Sequence, residues 1–314
     1  MEDVSSIKFR APRQNAAQNR CVISEDYESL VRRIYPAAQD IYVFGGEELE
    51  IPQYGRVYIA IKPRVGDTLT NQAKSYIRKS LDEYRIASLD LIIQDATTLN
   101  VEVVSVVYYD DKKTNNDSAT ITAKVKTTLS NLSASKTVSK FGGAVRYSRV
   151  IGSIDDSDNS ITRNNTTLRL RRDMEAVLAS AASYEVCFDN PIKNVAGSNQ
   201  VSVWSTGFRI SGDPNIFYFE DDSNGNVRLF YFDGANAKIV VNATFGSVDY
   251  AKGEVLLGYT TPITIVNTVV GDETVEIRAI PGNQDVLAKQ SVYINLDVGK
   301  SDIVSVVDTQ ITGS

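Results

Sequence analysis

Carboxylates are the side chains in this chain that could carry out chemistry, because the sequence contains no histidine. Asp and Glu number 39, and Lys and Arg 33, among 314 residues. Histidine is the usual general base near neutral pH and the commonest metal ligand. Its absence excludes Ser-His-Asp and Cys-His nucleophile systems and the familiar zinc hydrolase sites. A carboxylate pair for glycoside hydrolysis stays open, but no spacing singles out any two acids. We therefore predict no catalytic residue.

Two acidic stretches, 155–159 and 221–226, have the oxygen density that calcium needs. A calcium loop also requires a glycine at its sharp bend and a bidentate carboxylate that closes the ring. In the first stretch the closing position holds Thr167, and in the second Val227 stands where the glycine belongs. We interpret both stretches as solvated turns and predict no metal site.

The remaining small motifs indicate neither a cofactor site nor a reactive thiol. The glycine pairs at 45–46 and 142–143 fit no phosphate-loop pattern and are predicted to be structural turns. The two cysteines, Cys21 and Cys187, are far apart and lack metal-ligand spacing. We interpret them as free thiols in a reducing compartment, and no cofactor is predicted.

Four arginines, Arg163, Arg169, Arg171 and Arg172, form a basic stripe late in the predicted first domain. On a strand, alternation places Arg169 and Arg171 on one face. Two interpretations stay open: contact with an acidic partner or a nucleic-acid backbone, and an edge-strand device that discourages pairing. The net charge of −6 and the pI near 5.0 argue against a nucleic-acid partner.

Bulk composition predicts a globular protein with room for two domains. Hydrophobic residues make up 42% of the chain and charged residues 23%. No apolar run of transmembrane length and no charged-then-apolar amino terminus are present, so neither a membrane span nor a signal peptide is predicted. The 16 tyrosines favour binding surfaces, since tyrosine is enriched at protein interfaces.

The stretch from 19 to 63 is the predicted nucleus of the first domain. Ser24 is a candidate N-cap for an amphipathic helix that Pro36 ends, and apolar strands follow at 41–44 and 57–61. A helix feeding two strands favours an α+β layer. The apolar stripe of the helix comprises Tyr27, Leu30, Val31, Ile34 and Tyr35.

Further helices and strands complete this predicted domain. A second helix, predicted to run to about Tyr84, carries Leu69, Ala73, Tyr76, Ile77 and Tyr84 on its apolar stripe, with Leu81 beside it. A third is predicted to begin at a Ser118 cap, and a fourth covers 147–154. Strands are predicted at 89–93, 101–109 and 160–172. The 101–109 strand is apolar on both faces, so it should lie centrally in a covered sheet.

From residue 184 onward, short strands separated by turns indicate an all-β unit of about eight strands. The strongest local signal is a hairpin over 216–232, where Asn224 and Gly225 suit the positive φ angles of a tight turn. The predicted fold class is thus α+β: a mixed α/β sandwich-like domain followed by an all-β meander or sandwich. The predicted divisions are an arm at 1–18 with a strand at 6–10, an α+β domain at 19–175 and a β-rich domain at 176–314.

The segment Asn-Arg-Cys-Val-Ile-Ser-Glu-Asp-Tyr at 19–27 resembles the N-R-x-V-T-x-E-D-Y segment of baseplate J-like proteins from contractile-tailed bacteriophages. The stretches 55–63 and 91–109 lie where that family has its next elements. Ser24 replaces the helix-capping Thr that is usual there. The resemblance covers about 15–170, and it looks most like the carboxy-terminal half of the baseplate wedge subunit of T-even-type phages.

This resemblance implies a non-enzymatic structural protein of the virion, located in the tail baseplate and assembled in the host cytoplasm. Such wedge proteins form homodimers, bind other wedge subunits and join neighbouring wedges into a ring around the tail tube. No catalytic or cofactor residue carries over. A hinge near 173–183 between the two predicted domains is a further hypothesis, motivated by the change in composition.

Two alternatives of other classes stay open. The aromatic, β-rich 176–314 segment suggests a receptor- or glycan-binding tail adhesin. The abundance of acids leaves a carboxylate-dependent glycan hydrolase as the enzymatic alternative.

Overall fold

The structure, a computed structural model, describes residues 20–49, 51–86, 88–135, 138–194, 197 and 200–310. The predicted arm at 1–18, with its strand at 6–10, lies outside the described residues. The chain divides into two compact units. Unit 1 contains the residues up to Thr97 together with Lys140–Gly142 and Lys289–Tyr293, and unit 2 contains Thr98–Ser139, Gly143–Ala288 and the residues from Ile294 onward.

Unit 1 is a three-stranded sheet with two helices packed on one face. The first two strands are antiparallel, and the second and third are parallel, joined by a helix. A 3-10 turn at Gly46–Glu48 follows the first strand. The elements in chain order are α1 (Ser24–Ile34), β1 (Ala38–Gly45), β2 (Arg56–Pro63), α2 (Asn71–Leu81) and β3 (Asp90–Asp95).

The core of unit 1 follows from the apolar periodicity of its helices. The predicted stripe of α1 is confirmed, since Tyr27, Leu30 and Val31 are buried against the sheet. In α2 the stripe is rotated from the prediction: Leu81 is fully buried, whereas Tyr76 is exposed. Side chains three and four residues apart share a helix face. Ile77 and Leu81 are four residues apart and both buried, whereas Tyr76, one position earlier, points away from that face.

The opposite face of this sheet is aromatic. Rings stack along β1, where the centroids of Tyr42 and Phe44 are 5.5 Å apart, and from β1 to β2, where those of Phe44 and Tyr58 are 5.3 Å apart. Phe141 joins Tyr42 at 5.8 Å and meets Tyr293 edge-on at 5.6 Å. Segments that are distant in sequence thus complete the unit.

Both predicted serine caps are wrong. α1 already begins at Ser24, so Ile23 takes the N-cap position. The exposed Val22 and Ile23 amides donate to the carboxylate of Asp26 at 3.0 and 3.2 Å instead. The third helix has the same one-residue offset: Asp117, not Ser118, caps it.

Unit 2 is built on one large sheet, with two helices against part of it. With the ranges given below, the strand order is β18-β4-β6-β16-β9-β11-β12-β13-β14-β8. Outside this order, β19 is parallel to β4, β10 pairs with β11 and β15, and β7 pairs with β15. β5 and β17 form a separate pair. The elements are β4 (Thr97–Tyr109), α3 (Ser118–Ser133), β5 (Ala144–Val145), α4 (Tyr147–Asp155), β6 (Ile161–Glu175), β7 (Ala181–Ala182), β8 (Tyr184–Cys187), β9 (Val203–Ser205), β10 (Phe208–Ile210), β11 (Phe217–Asp221), β12 (Asn226–Phe232), β13 (Lys238–Asp249), β14 (Glu254–Leu257), β15 (Ile263–Thr268), β16 (Thr274–Ala279), β17 (Val286–Leu287), β18 (Val292–Leu296) and β19 (Asp302–Val307).

The predicted fold class is confirmed: a mixed α/β amino-terminal region precedes a mostly β region. β4 lies between β6 and the β18 and β19 strands, which is the central position predicted for it. The hairpin is confirmed, and Gly225 has a φ of +95°, although Ser223 rather than Asn224 is the other residue with positive φ. β19 was not predicted.

Strands from both sides of residue 175 pair with each other. β6 runs to Glu175 and pairs with β16, with Asp173 opposite Glu276. The start of the hypothesised hinge at 173–183 therefore lies within a paired strand, which argues against bending at that point. The domain boundary between 175 and 176 stays a prediction.

In the described ranges the longest helix, α3, has 16 residues, and no helix there has the length and apolar character needed to cross a membrane.

The caps give a test of local stability. Thr70 Oγ1 accepts the Ala73 amide at 3.2 Å and so caps α2. We expect Thr70→Ala to lower the free energy of unfolding by about 1 kcal/mol, because an amide of the first turn loses its acceptor. Ser24→Ala is the control and should lower it by less than half as much. Denaturant unfolding followed by circular dichroism measures both, and equal losses would contradict the cap assignment.

Candidate functional site

The predicted arginine stripe lies inside the sheet of unit 2. β6, which carries the stripe, pairs with β4 on one side and with β16 on the other. The edge-strand interpretation is therefore wrong at Arg171, where β6 has a neighbour on each side, whereas residues 161–169 pair with β4 alone. Arg171 and Arg172 are buried and Arg169 is half-buried, so the partners of these arginines are found within the chain.

One buried carboxylate, Glu102 of β4, holds three guanidinium groups together, two from the stripe and one from β16. Glu102 is fully buried. It accepts hydrogen bonds from Arg169 Nε at 2.6 Å, from Arg171 Nη1 at 2.8 Å, and from Arg278 Nε and Nη2 at 3.1 and 3.2 Å. Charge-assisted bonds of this kind are the strong ones, and they join β4, β6 and β16 through side chains as well as through the backbone.

A second layer of charges surrounds Glu102. It consists of ion pairs from Arg171 to Asp173 and Asp297, from Arg169 to Asp302, and from Arg278 and Lys300 to Glu276. With Glu102 the group has five carboxylates and four cations and is close to neutral. We call these nine residues the Glu102 cluster: Glu102, Arg169, Arg171, Asp173, Glu276, Arg278, Asp297, Lys300 and Asp302.

The electrostatics keep the cluster ionised. Burial alone would lower the pKa of Arg171, but its bonds to Asp173 and Glu102 and the charge of Asp297 outweigh burial and raise that pKa. Burial likewise works to raise the pKa of Glu276, yet Lys300 and Arg278 hold it below its usual value. Both groups therefore stay charged near neutral pH, and neither is poised to exchange a proton. This arrangement suits a structural tie rather than acid–base catalysis.

Charged and polar side chains continue across the neighbouring strands beyond the Glu102 cluster. Trp204 of β9 lies opposite Arg278, and the Arg169 guanidinium is 6.0 Å from the Trp204 ring centroid. Glu220, opposite Trp204, accepts from Arg228 at 2.8 Å and from Lys238 at 2.7 Å. Paired charges thus cross one face of the sheet from β4 to β13.

The other two predicted arginines have separate partners. Arg172 donates to the Thr98 carbonyl at 2.7 Å and to the Cys187 carbonyl at 2.8 Å, and burial lowers its pKa. Arg163 pairs with Asp308 at 3.2 Å, and this bond helps to lower the pKa of Asp308 to about 2. Of the four arginines, only Arg163 is exposed enough to reach a partner molecule.

The Asp-rich stretches form hydrogen-bonded turns. In the first, Asp158 accepts from Lys124 Nζ at 2.6 Å and from the Ser160 hydroxyl at 2.7 Å. In the second, Asp221 accepts the Ser202 amide at 2.7 Å and the Tyr250 hydroxyl at 2.7 Å. Within the part of the chain that the structure describes, no group of three His, Cys, Asp or Glu side chains could hold a metal ion.

Neither cysteine is set up as a nucleophile. Burial, with a contribution from Asp26, raises the pKa of Cys21 to about 11. Burial and the charge of Glu185 raise the pKa of Cys187 to about 11. A nucleophilic cysteine needs a lowered pKa, so both thiols are in the unreactive form near neutral pH.

Glu102 was not singled out from the sequence, although a signal for it exists. It is the one charged residue in the otherwise apolar and uncharged run 101–109. A charge in a strand predicted to be covered on both faces must have a buried partner. The alternating arginines at 169 and 171 were the available partners.

Comparison with known proteins places these features in a family context. Residues 23–94 match the family model described as baseplate structural protein gp6, C-terminal domain I, and residues 97–173 match that of C-terminal domain III. The chain is also 22% identical over 263 residues to baseplate wedge protein gp6 of Enterobacteria phage T4. Over these residues the chain is gp6-like. The first match lies in unit 1, and the second ends within β6.

The extent of the similarity is partial. It covers 82% of this chain but 38% of the T4 protein, so the chain spans well under half the length of that relative. A cryo-EM structure of the anti-feeding prophage baseplate is 14% identical and covers 53% of this chain and 37% of the other, with a TM-score of 0.36. A TM-score at that level supports no conclusion, so the gp6-like assignment rests on the sequence matches.

The Glu102 cluster predicts a large effect on stability. Glu102→Gln should lower the free energy of unfolding by about 3–5 kcal/mol, because it leaves three guanidinium groups short of a buried counter-charge. The matched control is Lys252→Met, which removes the more exposed pair of Lys252 and Glu254 at 3.7 Å. We expect the control to change the free energy of unfolding by less than about 1 kcal/mol. Equilibrium unfolding in urea measures both, and similar small losses would show that the cluster does not stabilise the sheet.

The first Asp-rich turn predicts a pH dependence. The bonds from Lys124 and Ser160 lower the pKa of Asp158 from 3.8 to about 2. This group therefore stabilises the fold fully above its unfolded pKa, and the contribution is lost as the pH falls toward about 2. We expect Asp158→Asn to melt below the wild type at pH 7 and the difference to shrink as the pH falls through that window. A melting-temperature difference that is constant with pH would contradict the assignment.

Proposed function

We propose that this chain is a structural subunit of a contractile phage-tail baseplate wedge. The observation that carries the proposal is the pair of adjacent gp6 matches over residues 23–94 and 97–173, whose descriptions both name a baseplate structural protein. The similarity to the T4 protein extends over 82% of the chain and so reaches into the β-rich part. In this role the protein is located in the virion.

The charge arrangement supports a role in shape rather than catalysis. The most buried acids, including Glu102, Glu276 and Asp221, are each committed to cations or to backbone and hydroxyl donors. None of these contacts leaves a carboxylate aimed at a substrate. We accordingly propose a non-enzymatic protein.

The finer statements rest on the family resemblance. We propose that the chain forms homodimers, binds other wedge proteins and joins neighbouring wedges into a ring around the tail tube, with assembly in the host cytoplasm. Membership of the wider baseplate J-like grouping, suggested by residues 19–30, is part of the same proposal.

One observation favours the adhesin as a second candidate. Tyr218, Phe230 and Phe232 form a ring cluster with centroids 5.5–5.7 Å apart, and Phe232 is exposed at its edge. Exposed aromatic faces bind apolar ligand surfaces. Glycan binding that is abolished by Phe232→Ala would favour this candidate over a purely structural role.

Self-association is the direct test of the proposal. Sedimentation velocity of the full chain over a wide range of concentration should show a dimer that dissociates reversibly on dilution or persists throughout. A strict monomer at every concentration would contradict the proposed self-association. Clearing of bacterial cell walls by the same preparation would contradict the non-enzymatic role.

A further inference from the structure

From Val104 to Tyr109, β4 is largely apolar on both faces, and the described part of the chain fully covers only one of them. Ser105, Val107 and Tyr109 point to the covered face and are buried. α3 lies on that face, where Thr122 donates to Ser305 of β19 at 2.9 Å. The apolar residues on the other face of β4 are Val104, Val106 and Tyr108, and each of them is only half-buried.

The register of three neighbouring strands defines this second face. Val106 lies between Val304 of β19 and Asn165 of β6, and Val304 is 56% exposed. Tyr108 lies between Val306 and Arg163 in the next row of the same face. We call this surface the β4 outer face, and its residues are Val104, Val106, Tyr108, Arg163, Asn165, Thr167, Asp302, Val304 and Val306.

The two charges of the β4 outer face stand at opposite corners. Arg163 is on β6 in the row of Tyr108, and Asp302 is on β19 in the row of Val104. They are two strands and four residues apart, which corresponds to roughly 10 Å across the strands and roughly 13 Å along them. The side chains are 44% and 65% exposed, so both can contact another molecule while keeping their internal partners.

We propose that the β4 outer face binds the same face of a second copy of this chain. A two-fold axis in the interface, running diagonally to the strands, brings Arg163 of each copy against Asp302 of the other. The apolar rows lie between these two reciprocal contacts. The strands of the two copies then cross at about 90°, which is one of the two usual ways in which sheets pack. An interface of this type is isologous, as expected for a two-fold dimer.

Charge complementarity selects a second copy as the occupant. The face carries one cation and one anion in positions that the diagonal axis exchanges, so the face complements itself. This inference rests on the self-association proposed above and adds the surface that makes it.

The open edge of β13 is a second apolar surface that a partner could use. Only Gly246–Asp249 of this strand pair with β14, so its first half has one unpaired edge in the described chain. An extra residue, Val241, interrupts its ladder between Val240 and Asn242. Bulges of this kind discourage edge pairing, which makes this edge the suitable control surface.

Matched arginine substitutions test the proposal in the full chain. Val304→Arg should weaken dimerisation at least tenfold, because it inserts a charge among the facing valines. Val241→Arg replaces a valine of nearly equal exposure, 55% against 56% for Val304, on the β13 edge and should leave dimerisation unchanged. Sedimentation equilibrium measures both, and circular dichroism verifies that each variant is folded.

A second variant covers the case in which Val304→Arg fails to fold. Asp302→Lys places a cation opposite Arg163 of the second copy and should also weaken dimerisation at least tenfold, more strongly at low salt. A dimer that survives Val304→Arg and Asp302→Lys overturns the assigned surface while leaving self-association intact. Loss of the dimer in Val241→Arg alone assigns it to the β13 edge and overturns the proposal. A wild-type chain that is strictly monomeric overturns both the surface and the self-association.

Discussion

The carboxylate of Glu102, buried among three guanidinium groups, is the interaction on which the sheet of unit 2 depends. A buried charge is tolerated only when its hydrogen-bonding capacity is filled, and the four bonds to Glu102 meet that requirement. The partners come from distant parts of the chain: Arg169 is 67 residues away, and Arg278 is 176 residues away. The cluster therefore forms only when β4, β6 and β16 are all in place.

Stability alone does not explain such a cluster, since well-packed apolar residues of similar volume often serve as well or better. Register is the better physical account. Because side chains alternate along a strand, a slip of one residue between β4 and β6 would turn Arg169 and Arg171 toward the helix-covered face. On that face β4 presents no carboxylate to the arginines. The slip would therefore leave Glu102 without its partners and place guanidinium groups beside apolar side chains of β4. The cluster thus favours one pairing over its nearest competitors.

Local patterns in the sequence predicted the elements whose signal is local. The α1 stripe and the hairpin at Asn224-Gly225 need only neighbouring residues, and both are confirmed. The predicted cap at Ser24 failed by one residue, because helix ends depend on which acceptor reaches the free amides. β19 was missed because its parallel pairing with β4 depends on residues some 200 positions earlier. The partners of the arginine stripe were missed for the same reason: Glu102 lies on β4 and Asp297 directly follows β18, both distant in sequence from β6.

The buried cluster and the exposed face of the same strands are linked through register. The pairing that places Glu102 opposite Arg169 also places Val106 opposite Asn165 and Tyr108 opposite Arg163. On the other side of β4, the pairing that sets Asp302 opposite Val104 sets Val304 opposite Val106. Asp302 belongs both to the Glu102 cluster, where it binds Arg169 at 2.9 Å, and to the β4 outer face, where it forms one corner. A charge cluster that excludes other registers therefore also determines the pattern of apolar and charged groups that this face presents to a neighbouring molecule. For a protein proposed to act through its contacts, a single strand register in the sheet is what gives every copy the same binding surface.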